Sequence, residues 1–169
     1  MIMRKTQLNW FIFFLVIALP NLISTHAKNP RTFDDLENWK QAIVSIEREN
    51  HSKKEFKVLL AESNKHRRQG LMHIETMQMN QGMIFVFKPP RKVSMWMRNT
   101  KLSLDMIFID RHNKIVRIVK NTTPFSTKGI SSEKVIQWVL EINGGLTDQM
   151  NIENGDHVNI RTIKGLDEG

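Results

Sequence analysis

Two carboxylates in this chain stand beside apolar residues, and each placement needs a reason. Asp105 lies in "SMWMRNTKLSLDMIFID", residues 94–110, and Glu141 in "VLEINGG", residues 139–145. Strict alternation from Leu102 sends Leu102, Leu104, Met106 and Phe108 to one face of a strand, and Ser103, Asp105, Ile107 and Ile109 to the other. Asp105 thus shares its face with Ile107 and Ile109. A carboxylate in that company must collect hydrogen-bond donors or accept a proton, because burying an unpaired charge is costly. If Asp105 and Glu141 faced each other across a cleft at a suitable separation, the pair could hydrolyse a glycosidic bond.

Each acid also has a plainer reading. Asp105 can take donors from the Asn99-Thr100 turn or pair with Arg98, stabilising a strand crossing. Glu141 falls on the face opposite Trp138, where a solvent-facing charge is ordinary. The neighbouring Gly144-Gly145 raises it to a candidate, since glycine lets a backbone or a ligand come close. Trp96 alternates with Met95 and Met97, so two methionines filling the core would leave Trp96 outward. There it would suit stacking against a sugar ring or an apolar ligand. The candidate binding residues are therefore Trp96, Asn99, Thr100, Asp105 and Glu141, with Asp105, Trp96 and Asn99 expected around one concave surface.

Other chemistries are thinly supported. The chain has ten methionines, and thioethers select Cu(I). Met72, His73, Met77 and Met79 form one group and Met95 and Met97 another, yet methionine stripes more often fill cores, and no His-x-His or dense Met-rich tract is present. The six histidines lack zinc-ligand spacing. There is no Gly-x-Ser-x-Gly elbow, phosphate loop or His-Glu-x-x-His, and no cofactor or metal is expected. With no cysteine, the chain has no disulfide framework, thiol nucleophile or lipid-modified cysteine.

The elements that must position these residues are mostly strands. "AIVSIE" and "FKVLLAE" alternate around a turn, which predicts a hairpin over 42–48 and 55–61. Ser63 can cap a short helix over "NKHRRQ" that stops at Gly70. Short runs bounded by turn formers follow at 82–87, 92–98, 104–110, 114–120 and 135–142. "LTDQMNI" can form one or two helical turns, and "HVNIRTI" closes the chain as a strand. The pattern predicts an all-β domain, a compact two-layer β-sandwich of jelly-roll type with two short helices.

The ends and the charge bound its surroundings. Arg4 and Lys5, the apolar run Trp10 to Leu19, Pro20 and the small residues at Thr25-His26-Ala27 have the layout of a secretory signal peptide over 1–27. A retained anchor is the alternative, but ten apolar residues fall short of the ~20 that span a bilayer. Residues 28–40 form a polar lead-in, and 41–169 a single β-rich domain. Losing Arg4 and Lys5 lowers the formal charge from +8 to +6. An exported basic chain meets anionic lipid, wall polymer or solvent sooner than nucleic acid, and the cluster Lys65-His66-Arg67-Arg68 reads as a solvated face.

"GLM" at 70–72, "GMIFVF" at 82–87, "MWMRNTKLSLDMIFID" at 95–110, "VLEINGG" at 139–145 and "GD" at 155–156 carry a likeness. In order and spacing they resemble a widespread prokaryotic family catalogued as domain of unknown function one hundred and ninety-two, over roughly 42–163. The resemblance implies a β-rich protein, commonly exported or membrane-linked, with no established activity. His73 stands where the family usually has arginine, and Ser103 where it usually has proline. Together these observations predict a periplasmic or secreted accessory protein that binds a small molecule, glycan or envelope component. It would lack catalysis of its own, bind no nucleic acid and keep no membrane span after cleavage. An envelope hydrolase and a methionine-based copper binder are the alternatives.

Overall fold

The computed structural model describes residues 31–163, apart from 37 and 49–51. The expected signal segment 1–27 lies outside the described residues. The lead-in holds a 3-10 turn, Phe33–Leu36, whose Phe33 and Leu36 are buried. The predicted hairpin forms as β1 (Gln41–Glu47) and β2 (Lys53–Ala61), paired antiparallel. Helix α1 (Asn64–Gln69) follows, capped as its sequence dictates: Ser63 Oγ accepts the His66 N–H at 3.0 Å, and Gly70 takes a left-handed φ of 47°.

After α1 the chain returns to lay β3 (Gln81–Arg91) parallel to β2. The expected strand over 92–98 shrinks to β4 (Ser94–Met95). A turn over 97–100 ends it, with Thr100 N–H donating to Met97 O at 3.1 Å and Asn99 left-handed at φ 53°. Then come β5 (Leu104–Ile109), β6 (Ile115–Val119), β7 (Ile130–Ser131), β8 (Ile136–Asn143), α2 (Leu146–Gln149) and β9 (His157–Ile163).

One seven-stranded sheet runs β6-β5-β8-β3-β2-β1-β9, with β4 and β7 forming a separate ribbon. The sheet curls until its two edges touch at one end. There Lys114 bridges His157, Ile115 N–H donates to Asp156 O at 3.0 Å, and Val158 N–H donates to Asn113 O at 2.8 Å. The all-β fold with two short helices stands as the alternation predicts, and its layering arises from one sheet bent into a half-barrel.

Alternation divides the core. The inner face carries Val44, Ile46, Phe56, Val58, Ile84, Ile107, Leu140, Ile142 and Val158, plugged by Leu146 and Ile152. The outer face carries Leu59, Met83, Phe85, Leu104, Met106, Phe108 and Val139. It is roofed by Phe33, Leu36, Leu71, Ile74 and Met97 from the 3-10 turn and the loops. Strands β3 and β8 approach so closely that a Cβ on Gly82, on the inner face between Val58 and Ile142, would sit 2.5 Å from the Glu141 carbonyl oxygen, and a glycine there makes that approach possible. Among the described residues, no helix is long and apolar enough to cross a membrane.

Candidate functional site

The roof over the outer face leaves a pocket of about 220 Å³. Leu71, Phe85, Phe87, Met72 and Met95 supply its apolar wall, Trp96 and Thr100 another side, Arg67 and Arg68 the α1 side, and Glu141 the floor. Helix α1 is fixed there by Arg67, whose Nη1 donates to Val86 O at 2.8 Å and also reaches Glu62 O. Two guanidinium groups lie over the Phe87 ring, Arg67 at 5.6 Å and Arg91 at 5.2 Å from its centroid. Burial, and then the Arg91 charge, pull the Arg67 pKa below its ordinary value. Gly70 brings the loop down onto Phe85, whose ring would meet an added Cβ at 3.3 Å.

Glu141 is the unusual group. It is 4% exposed, with Met83 and Met106 directly across from it on either side in the sheet register. Among the described residues no hydrogen bond or cation engages its carboxyl, and burial alone pushes its pKa up to about 8. At neutral pH the pocket floor is therefore a protonated acid with one O–H to donate and lone pairs to accept. The expectation of a solvent-facing charge fails because β3 and β5 flank β8 and the roof covers all three.

Three sequence candidates meet at this pocket. Trp96 is outward as expected, 46% exposed, with the Arg98 guanidinium 5.3 Å from its ring centroid. Thr100 is buried and its hydroxyl donates to Arg98 O at 3.1 Å. Asn99 stays at the edge: its backbone carbonyl accepts the His73 N–H at 2.9 Å, and its amide lies 4.0 Å from the Met72 sulfur.

Asp105 belongs to a different place. It is fully buried on the inner face, opposite Ile142, and Glu141 points to the outer one. Four donors converge on it: Asn121 N–H at 2.8 Å, Gly145 N–H at 3.0 Å, and Thr147 N–H and Oγ1–H at 2.9 and 2.7 Å. The expectation that Asp105 lines a concave surface with Trp96 and Asn99 is thus corrected, because strand alternation turns it away. Its donors come from the loop after β6 and the start of α2, not from Asn99-Thr100 or Arg98. The carboxylate pair needed for glycosidic hydrolysis does not assemble.

Several pocket residues carried no clear signal in the sequence. Arg67 and Arg68 read as a solvated cluster, and Phe85 and Phe87 as strand core; a helix folded over β3 converts them into walls. Met72 and Met95, from separate methionine groups, share the cavity. Met97 lies buried in the roof, its sulfur accepting the Thr122 hydroxyl at 3.2 Å.

The profile of DUF192, described as Uncharacterized ACR, matches residues 45–160, which include β8 with Glu141 and the whole pocket lining. The chain belongs to this uncharacterised family. Two solved structures are similar to this DUF192 chain. One, from Sinorhizobium meliloti 1021 and provisionally described as a transcription regulator, is 35% identical with a TM-score of 0.69, covering 72% of this chain and 93% of that one. The other, a protein of unknown function from Novosphingobium aromaticivorans DSM 12444, is 30% identical with a TM-score of 0.69, covering 72% and 86%. No curated protein matches the chain. Of the two departures from the DUF192 pattern, Ser103 spends its hydroxyl on Thr122 O at 3.0 Å, and His73 takes a left-handed φ of 64°.

Proposed function

We propose that this chain is an exported accessory protein, periplasmic or secreted, that binds a small molecule or a single glycan unit over Glu141 without chemistry of its own. One observation carries the reading: a buried carboxyl without a partner forms the floor of an apolar-walled pocket. Leaving such a group unsatisfied costs stability, and a bound polar group would recover that loss. The walls suit the rest of the ligand, with Leu71, Phe85 and the edge of Phe87 offering apolar surface, the uncovered side of Trp96 a ring face and Arg68 donors. A volume of about 220 Å³ is below the usual range for drug-sized ligands, so the occupant is one ring, one side chain or a short amphiphile.

Catalysis is not favoured, because among the described residues Glu141 is the only carboxyl in the pocket lining, so no acid pair forms, and no histidine lines it to activate the Ser94 or Thr100 hydroxyl. A thermal-shift screen of monosaccharides, amino acids and short-chain acids tests the reading, since a ligand that binds the native state raises the melting temperature by mass action. The shift should vanish in Glu141→Leu, whose own melting temperature should not fall. Ligands that stabilise both proteins equally would sink the proposal. Met72 and Met95 favour one other occupant, a soft monovalent metal ion held by thioethers and Glu141. Silver(I) binding lost on replacing both methionines by leucine would support that occupant.

A further inference from the structure

We infer that the lobe beside the pocket mouth docks onto a membrane surface bearing anionic lipid. The lobe consists of residues 91–101 and 121–135. Pairing of β4 with β7, the Met97 N–H to Ser126 O bond at 2.9 Å and the Phe125 N–H to Thr100 O bond at 3.0 Å hold the segments together. Among the described residues five large hydrophobic side chains are exposed, and three of them, Trp96, Phe125 and Val135, lie in these two segments. That concentration in two hydrogen-bonded segments singles the lobe out as a candidate contact surface, whereas singly scattered apolar residues need no explanation.

Phe125 adds an independent observation. It is 59% exposed and holds a φ of 60°, a conformation that is costly for a bulky side chain. Its ring therefore stands in solvent on a costly backbone held by the turn's hydrogen bonds, an arrangement that a contact role for the ring would account for.

The charge says what covers the patch. The two segments carry six basic side chains, Arg91, Lys92, Arg98, Lys101, Lys128 and Lys134, against the single acid Glu133, which pairs with Arg117 from β6. Lys101 is engaged by Glu75, and Arg98 covers one side of the Trp96 ring. A second copy of the same lobe would be repelled by like charge. Aromatic rings among basic side chains instead match the headgroup boundary of an anionic bilayer, where rings insert shallowly and lysines meet phosphates. Docking there would set the pocket mouth, which Trp96 shares, against the lipid. The inference rests on the surface and stands whether or not the pocket takes a ligand.

Sedimentation of the full chain with phosphatidylcholine vesicles, with and without about a third phosphatidylglycerol, tests it. Any retained apolar run at 10–19 raises binding to both vesicle types, so the readout is their ratio. The ratio should be about tenfold in favour of anionic vesicles at low salt and fall steeply by roughly 0.5 M salt. Phe125→Ser with Trp96→Ser should cut binding to anionic vesicles about fivefold or more. Lys92→Glu with Lys128→Glu, at exposed positions, should bring the ratio close to one, and unchanged melting would show that both variants are folded. Equal binding to the two vesicle types, indifference to both pairs of substitutions, or a preference for DNA or for self-association at the same salt would overturn the proposal.

Discussion

Replacing Glu141 by glutamine should remove a pH dependence of stability that this one carboxyl imposes. Burial raises its folded pKa from 4.5 to about 8, and the unfolded chain returns it to water and the ordinary value. Between those values the folded protein holds a proton that the unfolded chain has lost, so stability falls as pH rises, by about 1.4 kcal/mol per pH unit. The window from 4.5 to about 8 corresponds to a total loss on the order of 5 kcal/mol, of which about 3 kcal/mol is spent by pH 7. Below the window both states are protonated, and above it both are ionised, so the contribution is flat on either side. Glutamine has nearly the same shape and no charge to lose. The difference in unfolding free energy, variant minus parent, should therefore grow by about 3 kcal/mol from pH 4.5 to pH 7. Urea denaturation of both proteins at three or four pH values measures it, and the subtraction cancels every other titrating group. Parallel stability curves would refute the reasoning, because they would place Glu141 in water or beside an unseen partner.

Asp105→Asn should cost about 3 to 5 kcal/mol by chemical denaturation, since an amide nitrogen would face N–H donors and leave about two of them unsatisfied; a loss under about 1 kcal/mol would contradict the internal role. Gly82→Ala should destabilise by roughly 2 kcal/mol or more, because its Cβ would fall 2.5 Å from the Glu141 carbonyl oxygen and force β3 from β8; thermal unfolding reads it. Trp96→Ala should change stability by less than about 1 kcal/mol, as for other exposed positions, and denaturant midpoints check this. Mass spectrometry of the protein from cell fractions should find an N-terminus at or near Lys28 outside the cytoplasm; intact Met1 protein in the cytosol would contradict export.

Local rules made much of the fold legible. Alternation located β1, β2, β5, β6, β8 and β9 because a strand with one buried face must repeat with period two. Ser63 and Gly70 marked the ends of α1 because a short helix must satisfy its terminal amides and reverse its chain. The alternation that set Asp105 among isoleucines also required donors for it, and four are present. The segment 92–98 misled, since its alternating residues read as a strand. Its pairing ends after Met95 because the chain needs a turn, with Asn99 left-handed, to bring Thr100 under the roof.

The site itself was decided by contacts between distant parts of the chain. "VLEI" by itself fits a solvated glutamate. Glu141 is buried because Met83 and Met106 flank it from neighbouring strands and because α1 and residues 94–100, more than forty positions earlier, close over it. Likewise, Arg67 and Arg68 become pocket walls only when the β2–β3 crossover folds their helix onto Phe85 and Phe87. The sequence by itself determined which way each side chain leaves its strand, because that follows from backbone geometry. Whether the side chain then meets water, protein or an empty pocket depended on which elements the tertiary fold stacked against that face, since solvation is a property of the neighbours.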